Sequence, residues 1–152
     1  MITVRVAHGI SAHFIVRFKE WVWAIVFIAM GYQLWRPDTA TFSNAPIYRF
    51  LADYATEMTW GQMLMAMGVL RVIALSLNGT FGWFRGLSPL VRAGIAFLSA
   101  GFWFVFGLGF FLGYPIGISF IAFWGLMVGE IYNAWVIAGE AGTAYRPGNG
   151  VR

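Results

Sequence analysis

Apolar residues in this chain fall into long blocks separated by short polar stretches. The block lengths predict membrane-spanning helices, at about 18–35, 60–77, 90–112 and 116–138. A helix needs about 20 apolar residues to cross a bilayer. Trp21–Trp35 is short by that measure, so the preceding turn is expected to extend it while Arg17 and Lys19 reach the headgroups. Trp21, Trp23, Tyr32 and Trp35 sit where interfacial anchors belong. Arg36-Pro37-Asp38 ends this span, because a proline disfavours helical geometry in the residue before it. The second block, WGQMLMAMGVLRVIALSLNG, closes on Asn78-Gly79, a helix-stop pair. The third is strongly aromatic, with Phe97, Phe102, Trp103, Phe104, Phe106, Phe110 and Phe111. Gly113-Tyr114-Pro115 then predicts a tight turn into the fourth. There Gly125 and Gly129 form a GxxxG pair, a helix-packing motif that lets another backbone approach.

The polar stretches carry pattern too. Ile47, Phe50, Leu51, Tyr54 and Met58 share one helical face, with Arg49, Asp53 and Glu57 pointing away. With Ser43 or Asn44 as a cap and Pro46 in the first turn, this spacing predicts an amphipathic interfacial helix at about 45–57. It would lie on the membrane surface or cover the bundle. In residues 1–20, Val6, Ile10, Phe14 and Phe18 recur at four-residue spacing, which fits either an interfacial helix or a disordered basic terminus. The tail 139–152 is rich in Gly and Pro and is expected to be flexible. The expected fold is all-α: one polytopic membrane domain over residues 1–152, with four transmembrane helices in a bundle.

Composition sharpens this picture. Of 152 residues, 60% are hydrophobic and only 11% charged, against about 25% charged in soluble domains. The mean hydropathy is +0.72. There is no cysteine, so disulfides, thiolate metal sites and cysteine nucleophiles are excluded. Residues 1–20 lack the apolar core and small-residue cleavage site of a signal peptide, so none is expected.

The charges also predict topology. Arg5, Arg17, Lys19, Arg85, Arg92, Arg146 and Arg152 flank the spans on one side, and Arg36 and Arg49 on the other. The positive-inside rule then puts both termini in the cytoplasm. The formal net charge of +4 reflects this topology, and no nucleic-acid partner is expected.

One cation remains, Arg71, inside the second span with no charge within ten residues on either side. A charge in hydrocarbon costs at least about 2.5–3.5 kcal/mol near the bilayer centre. The topology makes spans two and four parallel. Arg71 lies six residues from Leu77 and Glu130 eight residues from Ala138, so both sit about 9–12 Å from the inner boundary. Opposite sign and matched depth predict an Arg71–Glu130 ion pair. Asn133, one turn below Glu130, and Asn78, two turns below Arg71, complete the expected intramembrane polar cluster. Three roles are open to such a pair: fixing helix register, lining a polar path, or pairing subunits.

Other chemistry is sparse. His8 and His13 lie outside the spans, which excludes a haem held by two intramembrane histidines. There is no HExxH, GxSxG, Walker or dinucleotide motif. Ser76, Ser99 and Ser119 have no nearby base. Met58, Met63, Met65 and Met67 read as a soft packing stripe before a copper relay. No enzyme, cofactor or metal site is expected.

Several short motifs recur together: Trp60-Gly61, Leu70-Arg71, Asn78-Gly79, Pro89 with Arg92, and Glu130 with Tyr132-Asn133. Over about residues 45–135 the chain resembles small, largely uncharacterised four-helix membrane proteins of tailed phages and proteobacterial prophages. Those proteins often continue with basic residues after the last span, where this chain has Trp135 and Glu140. The resemblance implies a viral or prophage origin and a bacterial inner-membrane location. The functional expectation is a holin-like protein that oligomerises in the bilayer. The alternatives are a non-lytic accessory, assembly or exclusion module with a membrane-protein partner, or a small channel.

Overall fold

The computed structural model describes residues 17–38, 40–44, 48–78, 88–113 and 118–144. All regular structure among them is helical: α1 (Phe18–Trp35), α2 (Thr41–Asn44), α3 (Arg49–Ala52), α4 (Glu57–Asn78), α5 (Ser88–Gly113) and α6 (Ile118–Ala144). By length and composition, three segments are apolar enough to cross a membrane: Glu57–Leu77, Ser88–Gly113 and Ile118–Gly139. α1 has 18 residues and carries Lys19, Glu20 and Gln33, so it is shorter and more polar.

Local chemistry sets the helix ends. Arg36 leaves α1 with extended backbone (φ −63°, ψ 132°), as the following Pro37 demands. Thr56 caps α4, its hydroxyl accepting the Thr59 backbone N–H at 3.2 Å. α5 opens on Ser88-Pro89, where a missing N–H costs nothing because first-turn donors have no intrahelical partner.

Residues 41–57 differ from the amphipathic helix expected at 45–57. The described part forms two one-turn helices, α2 and α3, followed by a turn at 53–55. Tertiary contacts override the helical pattern here. The Glu57 carboxylate accepts the backbone N–H groups of Thr41 and Phe42 at 3.1 and 3.0 Å, closing the segment into a cap. The Trp60 indole N–H donates to the Leu51 carbonyl at 2.9 Å. Leu51 is fully buried, while Tyr54 is 71% exposed. Pro46 and Ile47 lie outside the described residues, as do the side chains of Ser43 and Asn44.

The long helices associate as two pairs. α1 packs along α4, and α5 along α6, with narrower contact between α4 and α5. The α1–α4 seam is backbone against backbone. A Cβ on Gly31 would lie 2.6 Å from the Gly61 carbonyl oxygen, and one on Gly68 2.8 Å from the Ala24 carbonyl oxygen. On the other pair, Gly107 leaves room for the Trp124 ring. An aromatic core joins the pairs: Phe27 of α1 meets Trp103 of α5 at 4.8 Å between centroids, and Trp60 of α4 meets Phe106 edge-on at 5.6 Å. α3 rests on α5, with Leu51 against Gly109. α6 is the outermost helix, with only 11% of its apolar window buried.

Candidate functional site

The buried face of α4 contains Leu64, Met67, Arg71, Ala74 and Leu75, recurring at helical spacing. Arg71 is therefore aimed into the bundle by the same periodicity that buries its apolar neighbours. On α6, Glu130 and Ile137 are the buried side chains among those described, two turns apart on the inward face. On α5 the inward face runs through Arg92, Ile95, Ser99 and Trp103. Three buried stripes thus converge on one point.

There the Arg71 guanidinium grips Glu130 with both terminal nitrogens. Nη1 donates to Oε1 at 2.6 Å and Nη2 to Oε2 at 2.9 Å. This two-pronged geometry is the strongest form of a carboxylate–guanidinium contact. Nη2 also donates to Ser99 Oγ at 3.1 Å, while the serine hydroxyl donates to the Ile95 carbonyl at 2.8 Å. Asn133 Nδ2 donates to Glu130 Oε2 at 3.3 Å. The guanidinium carbon lies 5.8 Å from the centre of the Phe27 ring on α1, within cation–π range. Arg71 is 3% exposed and Glu130 0%, so their mutual neutralisation is what makes the burial tolerable. Arg71 thereby touches α1, α5 and α6 from its place on α4.

A second buried pair, not expected from the sequence, lies near one end of the bundle. Arg92 Nε donates to Glu20 Oε2 at 2.9 Å, and Arg92 Nη2 closes on Glu20 Oε1. Both side chains are almost fully buried. Glu20 lies in the first turn of α1, where the helix dipole favours an anion. Arg92 and Ser99 are seven residues apart on α5, so the two ion pairs occupy levels about 10 Å apart. The first pair joins α4 to α6 and the second joins α1 to α5. Each therefore bridges the two helix pairs, so polar contacts act where the α1–α4 and α5–α6 seams do not reach.

The remaining predicted residues are not part of the described cluster contacts. Asn78 ends α4, and its side chain lies outside the described residues, as do His8 and His13. Gly125 and Gly129 face outward, with nothing within 4 Å of where a Cβ would stand. Among the described residues, no three His, Cys, Asp or Glu side chains cluster closely enough to hold a metal. No protein-family model, curated protein or solved structure matches the chain.

The chemistry open to the site follows from its closure. The Glu130 carboxylate accepts both guanidinium prongs and the Asn133 amide, and the Ser99 hydroxyl both accepts and donates. These groups are tied up in holding one another, as a joint between helices requires.

Proposed function

We propose that the chain is a four-span protein of the bacterial inner membrane that works by self-association, a holin-like protein of phage or prophage origin. The observation that carries this reading is the outward face of α6. Gly125 and Gly129 stand one turn apart with open space over both, on the least buried of the long helices. In lipid, apolar side chains give no hydrophobic drive to associate, and small residues that let backbones approach supply the contact instead. The intramembrane charges are satisfied within one copy, so one copy has no need of a partner to neutralise them. The polar groups of the clamp are occupied with one another, so on this reading permeation falls to the assembly.

α1 counts as the fourth span on this reading. Its 18 residues reach about 27 Å, near the roughly 30 Å of a hydrocarbon core. Tyr32 and Trp35 are exposed at one end and Lys19 at the other, as interfacial anchors would be. An even number of spans and the positive-inside rule then put both termini in the cytoplasm.

Induced expression of the full chain in a bacterial host, followed with a potential-sensitive dye, tests the proposal. Membrane potential should hold through a lag and then collapse, and pairing Gly125→Ile with Gly129→Ile should delay or abolish the collapse. Harmless accumulation to high level refutes it. The alternative, a non-lytic accessory or exclusion module, is favoured by the cap over 41–57. It presents Tyr54, 71% exposed, at the bundle end beside Met58 of α4, 52% exposed. A stable complex with another membrane protein after mild detergent extraction would support that alternative.

A further inference from the structure

Asn133 gives only part of its side chain to the clamp. One Nδ2 hydrogen goes to Glu130 Oε2 at 3.3 Å. A side-chain amide carries two N–H donors and an acceptor oxygen. The second N–H and the Oδ1 oxygen of Asn133 have no partner among the described residues. Asn133 lies inside the apolar segment Ile118–Gly139. Lipid tails offer neither donor nor acceptor, so a polar group at that depth needs protein or water to satisfy it. The fold leaves the amide within reach from outside. α1 stands apart from α6 here, and Gly129, Asn133 and Val136 line the cleft between them together with Val22 and Trp23.

We propose that two copies of the chain meet along this side of α6, with the two Asn133 amides exchanging a pair of reciprocal hydrogen bonds. Ile121, Gly125, Gly129 and Asn133 form one row at four-residue spacing, which a second helix follows in the close right-handed crossing of GxxxG pairs. Copies in one membrane share an orientation, so their α6 helices run parallel and place each residue opposite itself at equal depth. An amide with one donor and one acceptor to spare is complementary to its own image across a twofold axis. That self-complementarity favours a second copy over lipid, which would cover the row without bonding the amide. The inference rests on the self-association reading and adds to it the face, the partner and the atoms that register one copy against the other.

The sequence has no cysteine, so a single introduced cysteine reports on one position. Full-length chains carrying donor or acceptor dyes at Arg152→Cys, reconstituted at falling density in vesicles of phosphatidylethanolamine and phosphatidylglycerol, give the association constant by energy transfer. Asn133→Leu should weaken association about 3- to 30-fold, and Asn133→Gln, which restores a self-complementary amide, should recover most of that loss. In separate chains under oxidation, Asn133→Cys should give a disulfide-linked dimer, because like positions on the row come within the roughly 7 Å between Cα atoms that a disulfide spans. Trp135→Cys should stay reduced, since Trp135 is 79% exposed on the opposite side of α6. Association that Asn133→Leu leaves unchanged, with cross-linking at Trp135→Cys and none at Asn133→Cys, overturns this inference and leaves self-association standing. A wild-type chain that stays monomeric at every density overturns both.

Discussion

One substitution, glycine to alanine, should have opposite consequences at two places in this bundle. At Gly31 a new Cβ would stand 2.6 Å from the Gly61 carbonyl oxygen, 2.6 Å from the Met65 backbone nitrogen and 2.7 Å from Met65 Cγ. Favourable carbon contacts begin near about 3.5 Å, so α1 and α4 must separate by roughly 0.9 Å. Two of the three obstacles are backbone and cannot rotate away. A gap of that size forfeits a quarter to a half of the attraction across the seam, and overpacking of this kind costs about 1–3 kcal/mol. The backbone contacts argue for the upper part of that range, about 2–3 kcal/mol, or an unfolded fraction raised about 30- to 150-fold. At Gly125 nothing lies within 4 Å, and alanine favours helix over glycine by up to about 1 kcal/mol. Gly125→Ala in dilute detergent should therefore be neutral or slightly stabilising. Equilibrium unfolding followed by far-ultraviolet circular dichroism measures both. A wild-type midpoint for Gly31→Ala, or an equal loss of stability in both variants, would refute the tight α1–α4 seam as the cause.

Ser99→Ala removes an acceptor from a buried charged donor and should cost about 1.5–3 kcal/mol in the same unfolding assay, with helicity retained. Glu57→Ala removes the carboxylate holding the Thr41 and Phe42 amides and should cost about 0.5–2 kcal/mol. Hydrogen exchange at those two amides should quicken while α5 and α6 stay protected. Asp38 hydrogen-bonds Arg36, which holds its carboxyl below the usual aspartate range. A lowered folded-state value stabilises the fold above the ordinary aspartate range, and the contribution disappears as pH falls through the lowered value. Both groups are solvent-exposed, so the effect should appear as a shifted Asp38 resonance titration that Arg36→Gln reverses, with little change in stability.

The sequence makes some of this legible for physical reasons. A lone cation and a lone anion at matched depth on parallel helices have few options, and they are the two residues brought to 2.6 Å. Ser99 is not legible in the sequence because a serine in a span usually bonds its own helix, and Ser99 does so at Ile95 while also accepting from Arg71. The Glu20–Arg92 pair is not legible because each residue lies near other charges at a helix end, where solvation by headgroups is the simpler expectation. They are 72 residues apart, and only the docking of α1 against α5 joins them. The small-residue spacing pointed to Gly125 and Gly129, whereas the close intrachain approach occurs at Gly31, Gly61 and Gly68. A spacing rule identifies a face that permits contact, without saying which helix comes to it. The segment 45–57 carries a helical pattern, but its described part folds as a cap, because Glu57 turns back to accept the Thr41 and Phe42 amides and Trp60 of α4 binds the Leu51 carbonyl.

The Arg71–Glu130 contact is the central structural joint between α4 and α6. A double-mutant cycle with Arg71→Leu and Glu130→Leu, read as unfolding free energy in detergent, tests this directly. Each single change strands a buried polar group and should cost about 3–5 kcal/mol. Glu130→Leu should be the worse of the two, because a stranded carboxylate can take up a proton while a guanidinium cannot lose one. Removing both charges should recover most of that loss and return the protein to within about 1–2 kcal/mol of wild type, giving a large coupling energy. Two single mutants that fold as well as wild type, with the double mutant simply additive, would contradict the account.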